Sequence, residues 1–218
     1  MAMNHDRKGQ QSILVLSWHG PQEVITSGGL RRTVEILTRI PEGINVVCLD
    51  NSPSFFRALA GPRLQVREYR IPAPLRMLES RFFLLERVLE WALSTILMIW
   101  KCLAMRARGQ AYDTIFIPSS EQLPALVAGI VARHIFSSDL IACNTNMDIF
   151  PRFLRKALIR LHDRADVTIV ISRHLAARFK DHGAQSMVVV NGIGLDARPF
   201  TEAECSETKD IDAIFIGR

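Results

Sequence analysis

The feature that most constrains the fold is the alternation of short apolar runs with longer helical segments. Most of the runs are continuously apolar, which is typical of parallel strands covered on both faces. The run 63–71 instead alternates apolar and charged residues, as an edge strand does. This order predicts an α/β fold with a doubly wound parallel sheet. The predicted strands are 12–18, 44–50, 63–71, 113–118, 138–144, 166–172 and 186–192.

Helices are predicted between most of these strands, from their periodic apolar positions. Ser172 is predicted to cap the start of the helix 173–182, with Gly183 as its C-cap. Pro124 fits the first turn of its helix, where proline is tolerated. The predicted helices are 28–40, 78–105, 121–135, 151–164 and 173–182.

The composition places the chain among globular proteins of a reducing compartment. The 218 residues are 48% hydrophobic, which is enough for a substantial core. The N-terminal residues are polar, and the apolar run that follows is too short for a signal peptide. The four cysteines are far apart, and Cys48, Cys102 and Cys143 lie in apolar runs as core residues do. We therefore expect a cytoplasmic protein without a metal site.

Basic residues are concentrated in two segments. Residues 63–108 contain nine Lys or Arg and four Asp or Glu, and residues 152–180 contain eight and two. Such surfaces suit phosphates, an anionic membrane or nucleic acid. The uncharged run 91–100 is too short to span a membrane. Its preferred interpretation is a helix buried against the sheet, and the alternative is a helix lying on an anionic bilayer.

Four motifs occur in a characteristic order: "SGGLRR" after the first strand, "ADVTIVISRHLAARFKDHG", "VVVNGIGLDARPF" and the terminal "IFIGR". Together they resemble the N-terminal half of the retaining GT-B glycosyltransferases of family four, over about residues 12–218. The fold that this resemblance implies is a Rossmann-like domain, one half of a GT-B fold.

The resemblance also implies a domain organisation. Residues 1–11 would be a disordered tail, 12–200 the N-terminal, acceptor-side domain, and 201–210 a linker. Residues 211–218 would be the first strand of a C-terminal donor-binding domain that is missing, so that the fragment alone is expected to be inactive.

Three residues are expected to bind the donor phosphates or the acceptor. Gly28 and Gly29 precede a helix N-terminus, where free N–H groups and the helix dipole attract anions. Arg218 matches the arginine that holds the donor diphosphate in the family, and a guanidinium suits phosphate oxygens. Asn191 and Gly192 are expected to form a hinge-side turn.

Asn144 and Asn146 are candidates for contact with the transferred sugar. Many family members have a histidine at this place, whereas this chain has "CNTNMD". An amide can bind a hydroxyl but cannot donate a proton as an acid. The catalytic residues stay unassigned, and His134, His162, His174 and His182 are interpreted as surface residues on helices.

The implied function is transfer of a sugar from a nucleotide-diphosphate-sugar to a glycan or lipid-linked acceptor hydroxyl, without a cofactor and without nucleic acid. An anionic membrane surface is a further expected partner, on the inner face. Two alternatives stay open: a non-catalytic Rossmann-like binding protein, and a sugar-nucleotide epimerase of the same GT-B architecture. A nicotinamide-dependent dehydrogenase is disfavoured, because the first strand lacks the G-x-G-x-x-G turn.

Overall fold

The computed structural model describes residues 11–18, 33, 36–37, 39–41, 43–51, 65–69, 83–120, 123–145 and 152–190. These residues form one seven-stranded sheet. Its strands are β1 (Ser12–Leu16), β2 (Asn45–Asp50), β3 (Gln65–Glu68), β4 (Thr114–Ile117), β5 (Asp139–Asn144), β6 (Val167–Val170) and β7 (Met187–Val190).

The strand order is β3-β2-β1-β4-β5-β6-β7, and every neighbouring pair is parallel. The chain builds the sheet outward from β1 to β3, then returns to add β4 on the other side of β1. The sheet therefore has a topological switch point between β1 and β4. This order confirms the predicted doubly wound, Rossmann-like sheet, and β3 is an edge strand as expected.

Four described helices accompany the strands: α1 (Phe83–Ala107), α2 (Leu123–Phe136), α3 (Arg152–His162) and α4 (Arg173–Asp181). Alternate residues of β1, β2, β4, β5 and β6 enter two separate hydrophobic clusters, as period-two side chains must. Leu14 and Leu16 belong to a cluster that includes residues of all four helices. Val15 packs in the other cluster with Leu37, which is itself helical. Both faces of the sheet are thus covered.

The ends of α4 agree closely with its sequence signals. The Ser172 hydroxyl accepts a hydrogen bond from the Leu175 amide at 3.1 Å, which is the predicted N-cap. The C-cap residue is His182, and Gly183 follows it with φ +86°. Glycine therefore occupies the left-handed position just beyond the cap, one residue later than the role predicted for it. Pro124 lies in the first turn of α2 as predicted.

The helix α2 lies unusually close to the sheet because it contains Gly129. A Cβ atom at this position would overlap the side chain of Ile117 in β4 and would stand 3.4 Å from Leu140 in β5. In the last turn of α2, the Arg133 guanidinium pairs at 2.7 Å with the carboxylate of Asp166, the residue before β6. The Asp166 carboxylate also accepts a hydrogen bond from the Leu140 amide at 2.8 Å. These contacts join α2 to β4, to β5 and to the residue before β6.

The helix α1 differs from its preferred interpretation as a buried helix. Its inner face is buried, through Ser94, Met98, Cys102 and Met105, but Ile96 and Trp100 are 61% and 66% exposed. By length and composition, the segment Val88–Ala107 is sufficient to cross a membrane, and only 22% of it is buried. The uncharged run 91–100 underestimates the length of this apolar segment, because flanking apolar residues extend the segment on both sides.

Candidate functional site

The carboxyl ends of the parallel strands meet at one edge of the sheet, which is where ligands bind in doubly wound folds. Because all seven strands are parallel, residues that directly follow them are brought together from distant parts of the sequence. Polar residues dominate this carboxyl edge. Among the described residues they are Ser17, Asp50, Asn51, Ser119, Ser120, Asn144, Thr145 and Ser172.

A buried polar group lies at this edge beside the switch point, where β4 and β5 end. Ser120 contacts the Cys143 carbonyl oxygen twice, through its amide at 2.7 Å and its hydroxyl at 2.6 Å. Ser120, Asn144, His162 and Thr168 are all fully buried. The group therefore connects the ends of β4 and β5 to α3 and β6. We call these four residues the polar cluster.

The imidazole of His162 is the centre of the polar cluster. Its Nε2 atom lies 3.1 Å from Ser120 Oγ, and its Nδ1 atom lies 3.4 Å from Thr168 Oγ1. The single hydroxyl proton of Ser120 is donated to Cys143, so Nε2 must carry the ring proton and donate to Ser120. Nδ1 then accepts from Thr168. Phe179 of α4 packs edge-on against the ring, with the centroids 5.1 Å apart.

This arrangement excludes one chemical role for the pair. A serine nucleophile donates its hydroxyl proton to a histidine base, whereas here Ser120 receives a hydrogen bond from the histidine. Burial lowers the pKa of His162 to about 4, although the nearby Asp163 carboxylate opposes this shift. The imidazole is consequently neutral at pH 7. It holds strand ends together rather than activating a nucleophile.

Asn144 is the sequence-predicted site residue that belongs to the polar cluster. Its Nδ2 atom lies 3.5 Å from both Ser120 Oγ and His162 Nε2. Since Nε2 carries a proton, Ser120 is the acceptor of the two. The Oδ1 atom is buried and has no hydrogen-bond partner. A buried amide oxygen without a partner is energetically costly, so this atom keeps unused accepting capacity at the carboxyl edge.

On the other side of the switch point, the ends of β1, β2 and β3 are held together by a second set of contacts. The Tyr69 hydroxyl donates to the Ser17 carbonyl oxygen at 3.0 Å. Burial, and next the nearby Asp50 carboxylate, raise the pKa values of Tyr69 and Cys48. Both groups are therefore neutral at pH 7. A thiol in this state is a core residue, as predicted for the buried Cys48, Cys102 and Cys143.

The other sequence-predicted site residues, Gly28, Gly29, Asn146, Asn191, Gly192 and Arg218, lie outside the described residues. Residues 1–10 of the expected tail, the expected linker and the expected final strand also fall there. Asn144 is thus the one candidate that the described residues place, and its role in sugar contact stays a prediction. Within the described ranges, no three His, Cys, Asp or Glu side chains are grouped so that they could hold a metal ion.

No protein-family model and no curated protein matches this chain. Solved structures resemble it at low identity. A UDP-glucosyltransferase from Polygonum tinctorium, capable of glucosylating indoxyl, has a TM-score of 0.58 and 9% identity, over 92% of this chain and 55% of that one.

Two further structures share the fold. A glycosyltransferase from Rickettsia africae has a TM-score of 0.50 and 12% identity, over 88% of this chain and 45% of that one. The N-terminal domain of a Candida albicans trehalose-6-phosphate phosphatase has a TM-score of 0.55 and 12% identity, over 91% of this chain and 52% of that one.

The Rossmann-like fold of this chain is shared with glycosyltransferases. At these identities the likeness concerns the fold alone. The chain spans about half the length of each of the three structures.

The burial of His162 corrects its interpretation as a surface residue. It is 0% exposed, whereas His134 and His174 are exposed as predicted and His182 is partly exposed. The spacing contained the necessary signal. His162 follows Leu158 by four residues and Ile159 by three, so all three share one helical face, and both apolar residues are buried. The position of His162 on the helix, rather than its residue type, predicts its burial.

Proposed function

We propose that this chain is the N-terminal, acceptor-side half of a retaining GT-B glycosyltransferase. The intact enzyme transfers a sugar from a nucleotide-diphosphate-sugar to an acceptor hydroxyl. The observation that supports this most is the fold likeness to two glycosyltransferases over 88–92% of the chain. The order of the four sequence motifs is a second, independent support.

The expected site residues have the chemistry that this function needs. Asn144 lies beside the switch point with a buried amide oxygen that has no partner, and a sugar hydroxyl that reached this oxygen would donate a hydrogen bond to it. Gly28 and Gly29 would bring backbone N–H groups close to an anion, and Arg218 would bind the diphosphate. In such an enzyme the leaving diphosphate is stabilised by fixed dipoles and basic side chains.

We further propose that the acceptor is a lipid-linked or cell-surface glycan and that the protein works at the inner membrane face. The support is the excess of basic residues in 63–108 and the basic face of the segment 152–164. The enzyme would meet such an acceptor at an anionic surface, which attracts basic side chains within about a Debye length.

The test measures release of nucleoside diphosphate by the protein encoded by the complete reading frame. The purified protein is incubated with UDP-, GDP-, ADP- and dTDP-sugars, with and without a membrane lipid extract. We expect release from one class of donor, stimulated by lipid acceptor. Epimerised donor without an acceptor would instead identify an epimerase, and absence of turnover with every donor would favour a binding protein.

The variant Asn144→Ala tests the proposed sugar contact in the same assay. We expect kcat/KM to fall about tenfold, which corresponds to the loss of one hydrogen bond. Asn45→Ala is the matched control, because Asn45 is exposed at the start of β2, at the opposite edge of the sheet. Equal activities of the two variants would remove Asn144 from the site.

A further inference from the structure

The outer face of α1 is a continuous exposed apolar surface. Its large side chains are Val88, Leu89, Ile96, Trp100 and Leu103, which are between 41% and 66% exposed. Ile96, Trp100 and Leu103 follow Leu89 at spacings of seven, four and three residues, and Val88 borders this row, so all five lie on one side of the helix. The surface extends over about 22 Å of helix, at 1.5 Å per residue. Exposed apolar surface on this scale marks an interaction site.

Basic side chains flank the C-terminal end of this surface. Arg106 and Arg108 are exposed and lie at and just beyond the end of α1, and Arg106 lies at the margin of the outer face. The outer face itself carries no charged residue from Val88 to Leu103, since its remaining members, Ala92, Leu93 and Ile99, are also apolar. This pattern of an apolar face with a basic border is typical of helices that lie in a bilayer interface.

The topology determines how such a helix can meet a membrane. Although α1 is long enough to span one, it connects β3 to β4, which belong to the same sheet. Its inner face packs on that domain, and Ser94 accepts a hydrogen bond from Trp18 Nε1 at 2.9 Å. A spanning orientation would carry the polar carboxyl edge and the exposed charges of the domain into hydrocarbon, which is prohibitively costly. Only the outer face is available.

We propose that the outer face of α1 docks on an anionic lipid bilayer, with the helix axis in the membrane plane. Apolar side chains enter the acyl boundary, while Arg106 and Arg108 contact the headgroups. Charge complementarity favours this occupant, because an anionic bilayer matches both the apolar face and its basic border. The proposal does not depend on the glycosyltransferase activity, so either can fail alone.

The experiment is co-sedimentation of the 218-residue chain with vesicles of phosphatidylcholine alone or with 30% phosphatidylglycerol. We expect binding to the anionic vesicles and much weaker binding to the neutral ones. The emission of Trp100 should shift to the blue on binding, because it is the most exposed of the three tryptophans. In Trp100→Phe the shift should be lost while most of the binding remains.

Two charge-introducing variants test the apolar face. We expect Ile96→Glu and Trp100→Glu each to lower the partition coefficient at least tenfold. The matched control is Ala177→Glu, which adds the same charge at an exposed position of α4 and should change binding less than threefold. Far-UV circular dichroism checks that the three variants are folded, as expected for exposed positions.

A second pair of variants tests the basic border. Each basic side chain near an anionic surface contributes about fivefold to affinity, so Arg106→Gln/Arg108→Gln should weaken binding roughly 30-fold at low salt. The control Arg173→Gln/Lys180→Gln removes two exposed charges from α4 and should have a smaller effect. Added salt should weaken the binding of the wild type toward that of the arginine variant.

Three results would overturn the proposal. The first is no sedimentation with anionic vesicles at low salt. The second is binding that Ile96→Glu and Trp100→Glu leave unchanged, which would place the contact elsewhere. The third is a dimer in analytical ultracentrifugation that Ile96→Glu dissociates, together with no vesicle binding, which would show that a second copy covers the face.

Discussion

The helices α1 and α2 are both strongly apolar, yet they occupy opposite environments. In α2, eight of its 14 residues are buried, including Ala128, Ala132 and Phe136. In α1, the segment Val88–Ala107 is only 22% buried. The difference arises from position. The helix α2 packs on strands β1, β4 and β5 and also contacts α1. Among the described residues, nothing covers the outer face of α1.

This comparison shows that apolar composition does not determine burial. A helix that is apolar all round is either in a core or at an apolar partner such as a bilayer. The content of small residues distinguishes α2 from α1 better than hydrophobicity does. Gly129 and three buried alanines let α2 approach the sheet closely. The outer face of α1 carries tryptophan, isoleucine and leucine, whose bulk suits a deformable partner.

The sharpest test introduces the same charge at an alanine of each helix. We expect Ala128→Glu in α2 to lower the free energy of unfolding by about 4 kcal/mol or more, because Ala128 is 0% exposed and a buried carboxylate has no partner there. Ala92→Glu in α1 should change it by less than about 0.5 kcal/mol, since Ala92 is exposed. Urea denaturation measures both. Similar losses in the two variants would show that the outer face of α1 is covered in solution.

The second prediction concerns the polar cluster, to which Ser120 contributes just before α2. The pKa of His162 is about 4 in the folded protein and about 6.5 in the unfolded chain. Between these pH values the unfolded state binds more protons than the folded state. The contribution of the neutral, buried His162 to the free energy of unfolding is therefore complete above about pH 6.5 and is lost as the pH falls toward 4. The loss amounts to at most about 3 kcal/mol.

Denaturation at pH 7.0, 5.5 and 4.5 measures this dependence. His162→Gln should be less stable at pH 7 and should lose most of the pH dependence between 6.5 and 4. The control His174→Gln removes an exposed histidine of α4 and should keep the slope of the wild type. If both variants keep the slope, the imidazole of His162 is not buried in solution.

The close approach of α2 to the sheet is tested at Gly129. We expect Gly129→Val to lower the free energy of unfolding by about 2 kcal/mol, because the new side chain overlaps Ile117 and the core must shift. Gly129→Ala should be nearly neutral, since the higher helix propensity of alanine, about 1 kcal/mol, offsets a smaller overlap. Thermal unfolding monitors both. A stabilising valine would contradict the close packing.

The smallest effect is expected at the inner face of α1. Ser94→Ala removes the acceptor that the Trp18 indole uses at 2.9 Å, and we expect a loss of about 1 kcal/mol. Thr95→Val is the control, because the Thr95 hydroxyl donates only to the Trp91 carbonyl of its own helix. Its effect should stay within about 0.5 kcal/mol. A larger loss at Thr95 than at Ser94 would show that the hydrogen bond between Trp18 and Ser94 does not stabilise the inner face of α1.

The sequence was sufficient for the sheet, since continuous apolar runs and strand–helix alternation are local signals of a parallel fold. It also identified the N-cap Ser172, whose hydrogen bond is made within its own helix. It was insufficient for α1, because a helix without a polar face has no periodicity that distinguishes its buried side. The polar cluster was largely missed, because it joins residues up to 48 positions apart that only the strand order brings together. Asn144 was found through the resemblance rather than through its buried contacts.

The position of α1 between β3 and β4 has a consequence for how the protein would sit on a membrane. A crossover helix runs roughly antiparallel to the strands that it connects. If the axis of α1 lies in the membrane plane, the strands lie nearly parallel to that plane too. The carboxyl edge would then open sideways, along the bilayer surface, and the proposed lipid-linked acceptor would reach it by two-dimensional diffusion without leaving its leaflet.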